Sequence, residues 1–168
     1  MNRAEIVLTR IDNRLVHGQV GITWTNSLDV DTIVVIDNDV AVNPMRQKLM
    51  ESVARAASVQ ISFYTIKGFL KTYFESDSQQ KLYLVVNDPH IVHCLVEDGV
   101  PIVNVNVGNM HYERGKVALN RKVYLDEKDI EDINYLIKQN VNVYYQDVPG
   151  SIIEKIKLLD YQFLKKKH

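Results

Sequence analysis

Runs of β-branched and aromatic residues recur along the chain: "EIVLTRI" at 5–11, "DTIVVID" at 31–37, "VQISFYTI" at 59–66, "KLYLVVN" at 81–87 and "VPIVNVNV" at 100–107. Most are apolar at consecutive positions, the pattern of strands covered on both faces. Between them lie segments with helical spacing: a first helix from near Gly18, one over 43–57 carrying Met45, Leu49, Met50, Val53 and Ala54, and others over 67–74 and 88–97. The pattern continues with "KVYL" at 122–125, a helix over 127–138, "NVYYQ" at 142–146 and a last helix over about 150–164. "LDEKD" and "DVPGS" supply turn or capping residues before the last two helices. Strands alternating with helices predict an α/β doubly wound domain: a mostly parallel sheet of about seven strands with helices on both faces. "NVYYQ" is read as a late edge strand that departs from the parallel direction. No repeat or linker divides the chain, so 1–168 is expected to be one domain, with 108–115 its longest irregular segment after the opening loop.

Composition narrows the function classes. With 46% hydrophobic and 24% charged residues among 168, this is the make-up of an ordinary soluble domain. Twenty basic side chains against 21 acidic ones leave a formal net charge of -1, without the field that gathers nucleic acid. "KKKH" at 165–168 reads as a solvated helix end, since cations are favourable there. The single cysteine, Cys94, forms no internal disulfide and suits a reducing compartment. No leader pattern is visible and no apolar stretch approaches the roughly 20 residues that span a bilayer. A cytoplasmic location without direct membrane insertion is the expectation.

The first strand leads into "RIDNRLVHGQVG" at 10–21. In doubly wound folds, ligands bind beyond the carboxyl ends of strands, where loops enter helices. Gly18 and Gly21 are permissive positions, and a helix opening near Gly18 aims unpaired N–H groups at the loop. Arg14 adds a fork suited to phosphate, and Arg10 at the strand end adds charge. His17 changes what such an anion site can do, because a neutral imidazole attacks phosphorus and holds the group as a phosphoramidate. Asp12 is positioned to fix the ring tautomer or stabilise its cation. No cofactor is called for, because the guanidinium and helix N-terminus neutralise the phosphoryl oxygens. By spacing alone, Asp12 and Asn13 serve equally as turn residues, Arg14 as a surface cation and His17 as a solvated histidine.

"TRIDNRLVHGQVGITW" resembles the active-site loop of the IIB components of the mannose and sorbose family in the bacterial phosphotransferase sugar-uptake system. "VVIDNDVAVNP" resembles that family's second strand and the turn after it, and "VPIVNVNVGNMHY" its glycine-containing segment after the fifth strand. The order and spacing of these blocks fit a whole IIB domain. The resemblance implies that His17 accepts a phosphoryl group, at Nδ1, from a phosphohistidine of a IIA partner. It would donate the group to a sugar during uptake through IIC and IID membrane components, working at the inner membrane face through that permease. Arg14 would contact the phosphoryl group, and Asp12 matches the loop's acidic position. Gly18, Gly108, Asn109 and His111 would lie around the phosphoryl group or the sugar. "NVGNMHY" further resembles the variants that serve amino sugars such as N-acetylgalactosamine. Where the family has two adjacent glycines, Gly108 is followed here by Asn109, a residue that tolerates positive φ and so is expected to keep the turn.

Other candidates have plainer readings. His90 and His93 lie three apart on a predicted helix with Cys94 beside them, which suggests a metal face. No third ligand has helical spacing, and Cys94 points about 100° away from its neighbour, so an amphipathic helix opening at Pro89 is preferred and no metal is assigned. Asp37 and Asp39, two apart as in Mg²⁺ sites, precede a helix for which Asp39 and Asn43 are natural turn and cap residues. Trp24 shares a stripe with Val20 and Leu28, and Val16 and Trp24 are the candidates for a transient partner surface. His111 fits a contact role or a solvated one equally, and His168 is assigned none. Two other function classes stay open. One is a non-catalytic α/β module holding a phosphate-bearing ligand, although "HGQVG" lacks the G-x-G-x-x-G fingerprint; the other is a regulatory phosphoacceptor.

Overall fold

The computed structural model describes residues 2–167. Seven strands form the main sheet: β1 (Glu5–Asp12), β2 (Thr32–Ile36), β3 (Gln60–Tyr64), β4 (Lys81–Val86), β5 (Asn104–Asn109), β8 (Asn142–Tyr145) and β9 (Glu154–Lys155), in the order β3-β2-β4-β1-β5-β8-β9. A separate antiparallel pair, β6 (Val117–Ala118) and β7 (Tyr124–Leu125), lies beyond β5. The helices are α1 (Gly18–Leu28), α2 (Pro44–Ala56), α3 (Ile66–Glu75), α4 (Pro89–Glu97), α5 (Glu127–Lys138) and α6 (Tyr161–Lys167).

β1 is central, parallel to β4 on one side and β5 on the other. Every residue of the β2 run "TIVVI" is buried, as a strand covered on both faces requires. One core lies under α1 and α2, where Leu8, Ile33, Val35 and Tyr83 meet Trp24 and Val53. The other lies under α3, α4 and α5, where Ile11, Val34 and Leu84 meet Phe69, Val92 and Ile133. The α/β doubly wound class therefore holds. Helix starts follow the predicted chemistry: Asn43 accepts from Arg46 N–H ahead of Pro44, Asp88 from His90 and Ile91 N–H, and Asp126 with Asp129 forms a capping box on α5.

Four features differ from the sequence reading. β8 runs parallel to β5, and the antiparallel edge is β9. The "KVYL" segment supplies β7 of the side pair, outside the main sheet. β5 begins at Asn104: Pro101 has no N–H to donate and Ile102 N turns back to Val100 O at 2.8 Å, so 100–102 stay outside the ladder. The last helix covers only Tyr161–Lys167. Before it, Gly150 turns the chain at φ +87, Gln146 Nε2 donates to Ser151 O at 3.0 Å, and Ile156 N donates to Val143 O at 3.0 Å. That segment satisfies the open edge of β8, leaving Ile152, Ile153 and Leu158 exposed, while Ile156 and Leu164 are buried and Leu159 and Tyr161 pack partly against the core. Lys165–Lys167 form an exposed helix end, and His168 lies outside the described residues. No described helix is long and apolar enough to cross a membrane.

Candidate active site

The loop between β1 and α1 is built by its own residues. Asp12 Oδ1 accepts from Arg14 N at 2.9 Å, and Leu15 N donates to Asp12 O at 2.9 Å, closing a turn. Leu15 takes left-handed φ 59 while its side chain is buried under α1, a strained conformation of about 1–3 kcal/mol that the surrounding core enforces. His17 is then the N-cap of α1 in extended conformation, and its side chain makes no cap bond, so the first-turn N–H groups face outward. Its Nδ1 lies 3.2 Å from Leu15 O, and its Nε2 lies 3.5 Å from Arg14 Nη1. With the Nδ1 proton on the Leu15 carbonyl, the Nε2 lone pair faces the guanidinium. Attack by Nδ1 requires the ring to leave Leu15. His17 is half-buried, and Arg14 and Gly18 are exposed.

Arg10 sits beneath this loop, not on it. Strand periodicity puts Leu8, Arg10 and Asp12 on the same side of β1, facing α1. There Arg10, 3% exposed, donates to Asn106 Oδ1, to Asp12 Oδ2 at 3.3 Å and to the carbonyls of Gln146 at 3.3 Å and Asp147 at 3.4 Å, with its guanidinium 4.8 Å from the Trp24 ring centre. The expectation that Arg10 adds charge directly to an anion is therefore replaced: its guanidinium is engaged inside, with one bond to Asp12 of the loop. Burial pushes the nearby Tyr83 and Tyr144 phenols upward, against the lowering effect of Arg10, so both stay neutral. Gly108 leaves room for this guanidinium. A Cβ there would lie 2.1–2.4 Å from its three terminal atoms, which four acceptors hold in place. Gly108→Ala is expected to cost about 2–3 kcal/mol and to lower the melting temperature by roughly 5–10 °C; an unchanged melt would mean that Arg10 shifts freely.

Asn109 and His111 reach the same end of the sheet through Asn13. Asn13 N donates to Asn109 O at 2.9 Å, its Oδ1 accepts from His111 N, and its Nδ2 donates to Asn87 O at 3.0 Å. Asn109 does not take positive φ, so the family's second glycine is not replaced by a left-handed asparagine. Its amide instead lies 3.3 Å from His111 Nε2. Asn13 was read only as a turn residue, and Asn106 and Gln146 were not singled out by sequence reasoning. The alternating "VNVNV" of β5, with Asn106 fully buried, was the available signal.

The remaining candidates fall into place structurally. Asp37, not Asp39, makes the turn: its Oδ1 accepts from Asp39 N at 2.9 Å and Val40 N at 2.8 Å, while Oδ2 accepts from Asn87 Nδ2 at 2.7 Å. Val16 and Trp24 cannot form a partner surface, since both are buried and Trp24 Nε1 donates to Asp147 O at 3.0 Å. Leu49, 71% exposed, lines the cleft beside His17, with Met45 and Val42 exposed nearby on the chain. His90 and His93 do have a third partner, Asp132 of α5, which no spacing within α4 could reveal.

Against this geometry, the comparisons are specific. Residues 6–168 match the family model described as the PTS system sorbose subfamily IIB component. The N-acetylgalactosamine-specific phosphotransferase enzyme IIB component 1 of Escherichia coli (strain K12) is 43% identical over 93% of this chain and 99% of its own length. The crystal structure bearing that component's name superimposes with a TM-score of 0.87, covering 91% of this chain and all of the other. The mannose-specific EIIAB component of the same strain is 35% identical over 92% of this chain, which spans 47% of that relative. The chain belongs to the sorbose subfamily of phosphotransferase system IIB components.

Proposed function

We propose that His17 carries a phosphoryl group between a IIA partner and a sugar. The observation that carries this reading is the imidazole at the open N-terminal cap of α1 with Arg14 Nη1 3.5 Å from its Nε2. One ring nitrogen forms an N–P bond as the donor's phosphohistidine N–P bond breaks. In the second half, a sugar hydroxyl forms the P–O bond, its proton is released, and the ring recovers its lone pair. Arg14 and the first-turn N–H groups neutralise the phosphoryl oxygens, and Asp12 holds the loop that presents both. Asp12 with Arg14 and His17 supplies the reaction, Gly18 supplies backbone at the phosphate, and Asn109 and His111 border the space where a sugar would arrive. Residues 1–168 act as one IIB domain in the cytoplasm, reaching the inner membrane face through IIC and IID components. The relatives named for N-acetylgalactosamine support an amino sugar as substrate, and the EIIAB relative supports a IIA donor. Leu49, beside His17, and the exposed Met45 one turn earlier on α2 suit the transient apolar contact with that donor.

The test is label transfer from a phosphorylated IIA protein, followed by discharge with N-acetylgalactosamine and membranes containing IIC and IID. Discharge supports the carrier, whereas a persistent label favours the regulatory reading. Arg14→Lys keeps a charge but loses the fork, so transfer is expected to slow about 10–100-fold with an unchanged melting temperature. Equal rates would reduce Arg14 to a surface cation.

A further inference from the structure

Away from the phosphoryl loop, α4 and α5 share a cluster that the transfer reaction does not use. Asp132 is 1% exposed, and its Oδ1 lies 2.7 Å from His93 Nδ1, 3.2 Å from His90 Nδ1 and 3.6 Å from Lys128 Nζ. Its Oδ2 is buried without any hydrogen-bond partner. One ligand atom from each of His90, His93 and Asp132 lies within 4.8 Å of the others. Both far nitrogens have a neighbour. His93 Nε2 is 3.7 Å from Glu97 Oε2, and His90 Nε2 is 3.5 Å from Cys94 Sγ. With the protons on Nδ1 both rings donate to Asp132 Oδ1; with the protons on Nε2 both Nδ1 lone pairs face the carboxylate, and a cation between them would take all three as ligands.

We propose that His90, His93 and Asp132 bind a divalent transition metal of the zinc class, joining α4 to α5. Two imidazoles and a carboxylate suit Zn²⁺ or Co²⁺ and disfavour Mg²⁺ or Ca²⁺, which take oxygen donors. Bonds of about 2.0–2.1 Å place donors about 3.3 Å apart in a tetrahedron. The His90 separation of 3.2 Å is close to that value, whereas the 2.7 Å of His93 must lengthen or give way to the unpartnered Oδ2 as the ligand atom. Glu97 behind His93 is the carboxylate that commonly orients a metal-binding histidine, and Tyr135 stacks on the His93 ring at 3.8 Å. His90, half-exposed, leaves an entry path and room for water as a fourth ligand. Lys128 is exposed and swings away as the cation enters.

The test is titration of the chelator-treated full chain with Zn²⁺ by calorimetry, and with Co²⁺ by visible absorption. One saturable equivalent and the intense d–d bands of tetrahedral Co²⁺ are expected, with the melting temperature raised by roughly 5–10 °C at a hundredfold excess over Kd. His90→Ala and His93→Gln each weaken binding more than tenfold. Asp132→Asn does the same, and should that variant fold poorly, the two histidine variants decide. His17→Ala and His111→Ala retain binding, which separates this site from the phosphoryl loop. Absence of saturable binding, or binding lost in His17→Ala and kept in His93→Gln, overturns the proposal.

Discussion

Replacing His17 with alanine is expected to reduce phosphoryl acceptance from a phosphorylated IIA protein to background, at least about 10³-fold, with the fold intact. The loop holds no substitute nucleophile. The Arg14 guanidinium offers donors and no lone pair, and both oxygens of the buried Asp12 accept hydrogen bonds, from Arg14 N and from Arg10. His111 is exposed, but its Nε2 lies against the Asn109 amide and nothing activates it. The stability effect is small because the His17 side chain contributes only contacts with Leu15 O and Arg14 and caps no helix N–H. A change within about 0.5 kcal/mol corresponds to about 2 °C in the melting temperature. Acid-labile label retained by His17→Ala would move the phosphoryl group to another residue. Label lost in His111→Ala, with His17 intact, would make that histidine part of the transfer.

The features legible in the sequence are those with short range. Consecutive apolar residues such as "TIVVI" announced buried parallel strands, and Asn43, Asp88 and Asp126 announced helix starts, because each signal is written within a few neighbouring positions. Arg14 and His17 are also neighbours in sequence, so their meeting was readable. Arg10 was misplaced because strand alternation sends it inward with Asp12, and its partners come from β5 and the segment after β8, 96 to 137 residues away. Asp132 escaped for the same reason: its histidines lie 42 and 39 residues earlier, on another helix. The last helix was overestimated because a helical pattern over 150–164 says nothing about whether a face exists to receive it. β8 offered an open edge instead, and the chain took it.

Arg10→Met is expected to destabilise the protein by about 3–5 kcal/mol, the range for removing one partner of a buried ion pair. That is a large part of the 5–15 kcal/mol that holds an ordinary domain together, and it should lower the melting temperature by roughly 10 °C or more. Methionine fills most of the volume, so the loss is electrostatic: Asp12 Oδ2 and Asn106 Oδ1 lose their Arg10 donor, while the Gln146 and Asp147 carbonyls lose one donor each and keep those from Asn106 Nδ2 and Trp24 Nε1. The guanidinium over Trp24 is lost as well. Arg10→Lys should fall between, because a point charge cannot serve acceptors on three segments at once. A double variant separates the pair from its surroundings. Arg10→Met with Asp12→Asn removes the stranded carboxylate, so it should be more stable than the sum of the two single losses predicts by at least about 1 kcal/mol. Strict additivity would mean that Arg10 holds β5 and the segment after β8 independently of Asp12. The coupled result would tie the loop to the interior, since the same carboxylate that pairs with Arg10 also accepts from Arg14 N. In that case Arg10→Met also slows phosphoryl transfer in the fraction that stays folded, because Asp12 no longer fixes the turn that brings Arg14 to His17.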